Sequence, residues 1–192
     1  MRRFLGLAVF SIILASGLSS DRAFALGYKL GLLGGYNYTA FGFSGLPKGL
    51  SANGNGGYFG LEGGVFASGE FVRPGIEICP EYVFSHVNTE NGSENIQSIL
   101  IPAYFTLSFG EKNPFVDIGA GAGPIFLDLS DKTQTQGLGR RTNLGIFGKV
   151  SPVIEITRRT YLGPQVQFFW DITPPGGTRI WGILAGLSLE IY

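Results

Sequence analysis

After residue 26 the chain alternates apolar and polar side chains almost one by one, and nearly all in-strand charge falls on one parity. In an extended strand successive side chains point to opposite faces, so such a pattern sorts residues onto two surfaces. Tyr28, Leu30, Leu32, Gly34, Tyr36 and Tyr38 share one parity; Lys29, Gly31, Leu33, Gly35 and Asn37 share the other. The same division sets Phe59, Leu61 and Val65 against Tyr58, Glu62 and Phe66, and Ile76, Ile78, Tyr82 and Phe84 against Glu77, Cys79, Glu81 and Ser85. It sets Ile99, Ile101, Ala103 and Phe105 against Ser98, Pro102, Tyr104 and Thr106, and Val116, Ile118 and Ala120 against Asp117, Gly119 and Gly121. Three more runs place Leu144, Ile146, Val150 and Ile154 against Asn143, Lys149, Ser151 and Glu155. They place Leu162, Val166, Phe168 and Trp170 against Gln165, Gln167 and Asp171, and Trp181, Ile183, Leu187 and Leu189 against Gly182, Gly186, Ser188 and Glu190.

The pattern predicts eight strands, most of ten residues or more. Strands of ordinary globular proteins run about 5–6 residues, whereas a tilted membrane-spanning strand needs about 9–11. The position of the charges then selects the class. A soluble ligand-binding barrel is polar outside and apolar inside; a membrane barrel is the reverse. Arg or Lys facing lipid at the bilayer midplane costs about 2–4 kcal/mol. The expected fold is therefore an all-β, eight-stranded antiparallel up-and-down transmembrane β-barrel, with its polar parity in the lumen. The expected lumen cluster is Lys29, Glu62, Glu77, Glu81, Asp117, Lys149, Glu155, Gln165, Gln167 and Glu190. An eight-stranded barrel leaves an interior just wide enough for side chains to fill. The cluster is thus expected to be a packed structural filling, with an ion path or proton-handling site as its rival.

The connections support the same topology. Residues 39–56, 88–95, 129–142 and 171–179 read as longer links rich in Gly, Asn, Thr, Ser and Pro; residues 68–74, 110–114 and 157–160 read as short turns. Long links at one end and short turns at the other are the asymmetry of outer-membrane barrels. Tyr36, Tyr38, Phe84, Trp170 and Trp181 are placed on an outer aromatic girdle, and Tyr28, Phe109, Phe115 and Tyr161 at the inner rim. Tyr192 shares parity with Glu190 and is expected to face inward. Pro80, Pro124, Pro152 and Pro164 interrupt strands, where proline removes a ladder hydrogen bond, and are expected to weaken pairing or mark bulges.

Residues 1–25 read as a cleaved signal peptide: Arg2 and Arg3, the apolar run Phe4 to Leu18, then Ala23-Phe24-Ala25 as an A-x-A cleavage site. Residues 26–192 form the barrel domain. The chain carries 14 basic and 14 acidic residues; losing Arg2, Arg3, Arg22 and Asp21 leaves 11 and 13. That balance gives no electrostatic footprint for nucleic acid. One cysteine and one histidine exclude a disulfide framework and a Cys- or His-based metal cluster. With 31 glycines in 192 residues, helical bundles are disfavoured.

Other motifs carry less. Gly119-Ala120-Gly121-Ala122-Gly123 is not followed by a helical pattern, which a phosphate loop requires. Ser85-His86 invites comparison with a hydrolytic pair, but Glu81 lies on the face opposite His86. Glu90, Glu94, Asp128 and Asp131 lack calcium-loop spacing. Lys132, Arg140 and Arg141 could meet lipopolysaccharide phosphates, although a solvated link is the plainer expectation.

The segment IQSILIPAYFTLSFGEKNPFVDIGAGAGPIFLDL (residues 96–129) resembles the bacterial outer-membrane β-barrel domain families, including the group named after PorT. The shared features are Ile101-Pro102, Phe109-Gly110, Asn113-Pro114-Phe115 and the glycine-alternating strand at 119–123. The opening LGYKLGLLGGYNY and closing ILAGLSLEIY are similar to those families' first and last strands. The resemblance implies a porin-family-like barrel in the outer membrane of a Gram-negative cell envelope and transfers no catalytic residue.

The expected role is structural or surface-interactive, without enzymatic activity, cofactor, metal or wide pore. Expected partners are outer-membrane lipid and lipopolysaccharide, with the barrel-assembly machinery during insertion; the barrel is expected to be a monomer that binds no nucleic acid. The rivals are an outer-membrane lipid-modifying enzyme of the lipid A deacylase or acyltransferase type, a secreted lipocalin-like binder, and a narrow channel.

Overall fold

The structure is a computed structural model that describes residues 26–42, 50–69, 71–89, 92–110, 115–129, 141–172 and 179–192. The leader assigned to residues 1–25 lies outside them. Ten strands follow in order: β1 (Leu26–Gly42), β2 (Leu50–Ala67), β3 (Val72–Ile78), β4 (Glu81–Thr89), β5 (Gly92–Leu100), β6 (Ala103–Phe109), β7 (Phe115–Leu129), β8 (Arg141–Thr157), β9 (Thr160–Asp171) and β10 (Arg179–Ile191).

Ten elements make eight long strands. β3 and β4 are one strand interrupted at Cys79-Pro80, and β5 and β6 are one strand interrupted at Ile101-Pro102. The inward and outward alternation runs through both breaks without slipping: Glu77, Cys79 and Glu81 are buried while Ile78 and Pro80 are exposed. Backbone bonds bridge the interruptions, Leu61 N–H donating to Pro80 O at 3.0 Å, Cys79 N–H to Pro102 O at 3.0 Å and Ile101 N–H to Pro124 O at 3.1 Å. The wall therefore stays bonded at these prolines.

All pairings are antiparallel, and the ring closes because β1 pairs with both β2 and β10. The closing seam holds from Leu30↔Ile191 to Gly42↔Arg179. Closure removes the unpaired edges that an open sheet would present. β1 spans 17 residues. At about 3.3 Å per residue and a tilt near 40°, that is roughly 43 Å along the barrel axis, against an apolar band of about 25 Å. The strands thus run well past the belt.

This overshoot corrects two of the expected links. Residues 39–42 and 50–56 belong to β1 and β2, and residues 88–95 are largely strand, with Thr89 facing Gly92. Their polar composition suits strand that stands clear of lipid, and composition alone reads that as loop. The aromatic placement changes too. Phe115 is 1% exposed and points inward, where Tyr161 meets it edge to face with centroids 5.2 Å apart. Both belong to the interior rather than to the girdle.

The outward face is apolar: Leu30, Leu61, Ile76, Ile118, Val150, Val166 and Leu187 are all exposed. Tyr38 against Trp181, Phe59 against Tyr82 and Phe168 against Trp170 form ring contacts on it. The interior is layered. Read toward the end where β1 meets β2's start, the inward residues of β1 are Lys29, Gly31, Leu33, Gly35, Asn37 and Thr39. Those of β8, read the opposite way, are Asn143, Gly145, Phe147, Lys149, Ser151 and Val153. Both series pass between a polar layer, an apolar layer and a charged layer.

Candidate functional site

The charged layer is the densest chemistry among the described residues. Lys29, Glu62, Glu77, Glu81, Asp117, Lys149, Gln165, Gln167 and Glu190 are all at most 5% exposed. Glu155 is half-buried at the inner rim, facing Tyr161 across β8 and β9. Glycines make room for the long charged chains. Lys29 faces Gly64 on β2, and Lys149 faces Gly119 on β7, where an added Cβ would lie 2.9 Å from Lys149 Cγ.

The two ammonium groups organise the layer. Lys29 Nζ lies 2.5 Å from Glu62 Oε1, 3.0 Å from Glu77 Oε1, 3.0 Å from Asp117 Oδ2 and 3.3 Å from Glu190 Oε2. Lys149 Nζ donates to Glu62 Oε1 at 2.7 Å and to Glu77 Oε2. Glu81 stands apart, accepting from Gln167 Nε2 at 2.5 Å, while Tyr104 O–H donates to Gln167 Oε1 at 2.7 Å. Four carboxyl groups therefore share two ammonium groups, and Glu81 is a fifth buried carboxyl held by Gln167. Ion pairs this deep are weak evidence of net stabilisation, because desolvation offsets their attraction. Their clear consequence is orientational: turning any strand over would put these charges into the apolar belt.

An aromatic floor closes the layer below. Tyr192 faces inward, its hydroxyl donating to Glu190 Oε2 at 2.8 Å and to Asp117 Oδ2 at 3.3 Å. Its ring meets Tyr161 at 4.9 Å, Phe66 at 5.3 Å and Phe115 at 5.5 Å. Arg73 lies over a ring of the same group, its guanidinium carbon 4.5 Å from the centre of the Phe115 ring. Above the charges, Leu33, Val83, Leu100, Ile125, Phe147 and Leu184 pack as one buried apolar cluster. No alternation rule distinguishes such inward aliphatics from inward polar groups. The position of Leu100 and Ile125 opposite one another in the β5–β7 ladder is what assembles the layer. A polar tier tops it. Asn37 Nδ2 donates to Gly57 O and Phe84 O at 2.8 and 2.6 Å, Ser85 Oγ donates to Asn37 Oδ1 at 2.9 Å, and Asn143 Nδ2 donates to Asp171 Oδ2 at 2.5 Å.

Ser85 and His86 part company here. Ser85 is buried in that tier, whereas His86 points outward and its Nδ1 lies 2.9 Å from Asn95 Oδ1. Adjacent residues of one strand cannot share a face, so they form no hydrolytic pair. Glu62, Glu77 and Cys79 bring three potential metal-ligand atoms within 4.8 Å. Lys149 Nζ sits between the two carboxylates, where a cation would have to bind. Lys132, Arg140 and Asp131 lie outside the described residues, as do Glu90 and the side chains of Glu94, Asp128 and Arg141.

No protein-family model and no curated protein matches the chain. Among solved structures, Neisserial surface protein A is similar with a TM-score of 0.55 at 11% identity, over 87% of this chain and 98% of that one. Ail, the attachment invasion locus protein of Yersinia pestis, aligns with a TM-score of 0.43 at 9% identity, over 85% and 98%. Outer membrane protein OprG of Pseudomonas aeruginosa aligns with a TM-score of 0.43 at 11% identity, over 85% and 96%. The first of these likenesses speaks for the fold: an all-β barrel of this size and connectivity.

Proposed function

We propose that this chain is an integral outer-membrane β-barrel protein of a Gram-negative envelope, with a structural or surface-interaction role and no enzymatic one. The observation that carries the reading is the inversion of the two faces. Among the described residues, isoleucine, leucine, valine and aromatic side chains cover the outside, and Lys29, Lys149 and six buried carboxyl groups lie within. Only lipid makes that arrangement favourable, since water would reverse it.

The lumen serves as a filling rather than a pore. The apolar cluster around Leu33, Leu100 and Phe147 lies across the path between the charged layer and the polar tier. An ion crossing it would shed its hydration against aliphatic walls, at a cost no neighbouring group offsets. Four links at the far end of the barrel, between residues 42 and 50, 89 and 92, 129 and 141, and 171 and 179, would face the exterior and carry any interaction. Residues 1–25 would direct export and be removed. The barrel would meet outer-membrane lipid and lipopolysaccharide, pass through the barrel-assembly machinery during insertion and act as a monomer. Neisserial surface protein A supports a surface placement by its name and its shared fold. The resemblance to the group named after PorT rests on the residues of segment 96–129.

The test is electrophoretic mobility in SDS of the outer-membrane fraction, with and without boiling, together with planar-bilayer recordings. A folded membrane barrel resists SDS until heated and shifts on boiling, and bilayers holding it should show no steady large conductance. Protein in the soluble periplasm with no shift would overturn the membrane reading. A stable open state would overturn the filled lumen.

A further inference from the structure

The β8–β9 wall of the barrel is interrupted where two prolines face each other. The β8–β9 ladder runs to Val150↔Val166 and resumes at Ile154↔Leu162. The unchanged register between those pairs sets Pro152 opposite Pro164. Both prolines remain paired on their other sides, Pro152 with Val116 on β7 and Pro164 with Leu187 on β10. In an antiparallel ladder a hydrogen-bonded pair exchanges two N–H···O bonds, and two facing prolines remove both donors. The contrast with Pro80, Pro102 and Pro124 is direct, since backbone N–H groups bond each of their carbonyls at 3.0–3.1 Å.

One serine side chain, Ser151, spans this gap from the inside, and Ser188 of β10 lies beside it. Ser151 Oγ donates to Pro164 O at 3.4 Å, Ser188 Oγ donates to Gly163 O at 3.4 Å, and the two hydroxyls are 3.2 Å apart. Hydroxyl bonds ordinarily lie near 2.7–2.8 Å, so these contacts are long. The strands are nonetheless in contact: a Cβ on Gly163 would fall 1.9 Å from Pro152 O. The seam is closed and poorly fastened. Outside it lie Val150, Val166, Ile154 and Leu187, all exposed on the apolar belt. Inside it, Gln165 faces Ser151 in the same register, is 0% exposed, and neither polar atom of its carboxamide has a partner among the described residues.

We propose that the β8–β9 seam at Pro152 and Pro164 is a lateral entry from the lipid hydrocarbon into the lumen. It would admit a small uncharged molecule able to hydrogen-bond, with Gln165, Ser151 and Ser188 as the groups that receive it. The proposal rests on the membrane reading above. Opening breaks no backbone bond over residues 151–153 and 163–165, which is true of no comparable stretch of the β1–β10 seam. The aromatic floor and the apolar cluster close the two axial routes, which leaves the wall.

The test places a thiol at Gln165→Cys in a Cys79→Ser background, with the barrel folded in lipid vesicles. Heat-shifted mobility is checked first, so that loss of the membrane fold shows as a missing shift and stays distinct from a slow reaction. The probes are a small uncharged maleimide and a charged, membrane-impermeant one. We expect the uncharged reagent to react at least tenfold faster than the charged one, and tenfold faster than with Leu33→Cys, which lies on strands paired along both edges. Pro152→Val with Pro164→Val, which restores both donors, should slow the reaction at least tenfold. Equal rates for the two reagents, equality with Leu33→Cys, or no slowing in the valine pair overturns the proposal. If the valine pair does not fold, amide exchange in the unaltered protein decides. The amides of Val150, Ile154, Leu162 and Val166 should exchange at least tenfold faster than those of residues 32–37, and equal exchange overturns the proposal.

Discussion

Replacing Lys29 by methionine keeps an unbranched side chain only one atom shorter and removes its charge. The ammonium lies within 3.3 Å of four carboxylates. Lys149 still reaches two of them, Glu62 and Glu77. Asp117 and Glu190 are left with the Tyr192 hydroxyl, at 3.3 and 2.8 Å, and no cation among the described residues. Leaving one buried charge without its partner costs about 3–5 kcal/mol. With two carboxylates deprived of their cation, the expected loss is at the upper end, about 5 kcal/mol, or between three and four powers of ten in the folding equilibrium. That is a large share of the roughly 5–15 kcal/mol by which a domain is stable. Glu190→Gln makes the opposite change. It removes one of four carboxyl groups that compete for two ammonium groups, and its expected cost is within about 1 kcal/mol. The assay is urea-driven unfolding in lipid vesicles, followed by the fluorescence of Trp170 and Trp181 and by heat-shifted mobility. A cost below about 1 kcal/mol for Lys29→Met, or equal costs for the two variants, would refute the claim that ammonium groups are the limiting component of the lumen.

Three further outcomes follow from the geometry. Leu61→Arg puts a cation on the lipid face, where Leu61 is 58% exposed, and should lower stability in vesicles by about 2–4 kcal/mol while a change to Ile stays near neutral; equal urea midpoints would count against a lipid-facing Leu61. Gly121→Val should prevent formation of the heat-shifted form, because its Cβ would fall 2.1 Å from Ala103 O and 2.8 Å from Ala103 C, so backbone rather than a flexible side chain must move. Tyr192→Ala removes the floor ring and its two hydrogen bonds, and the urea midpoint should report a loss of about 3–5 kcal/mol; an unchanged midpoint would mean that the floor is an end that frays in solution.

The division into two faces is legible in the amino-acid order alone. A period of two over runs of ten or more residues leaves one arrangement in which the strands are extended and the charges avoid lipid, and that arrangement is a closed barrel of eight. Reading failed where composition was asked to do the work of pairing. Residues 88–95 are polar enough for a loop, yet Asn88 and Thr89 are laddered to Ser93 and Gly92, because strand outside the membrane needs no apolar side chains. Phe115 and Tyr161 fit a rim by sequence position, but their parity turns them inward onto Tyr192.

The set of inward polar residues can likewise be written down from parity, but not its partnerships. Lys29 and Asp117 are 88 residues apart, and Lys149 and Glu62 are 87 apart. Their meeting depends on the shear of the closed sheet, which brings β1, β2, β7 and β8 to one level of the lumen. The apolar tier is of the same kind: Leu33, Leu100 and Leu184 carry the inward parity of the lysines and differ from them only in height along the axis. Pro152 and Pro164, too, are two separate breaks in the sequence. Register alone makes them face each other, because one residue of slip between β8 and β9 would give each proline a partner that could still donate. Alternation is a local property set by backbone geometry and by the solvent on each face. Height, register and neighbourhood in the ring exist only once the sheet has closed on itself.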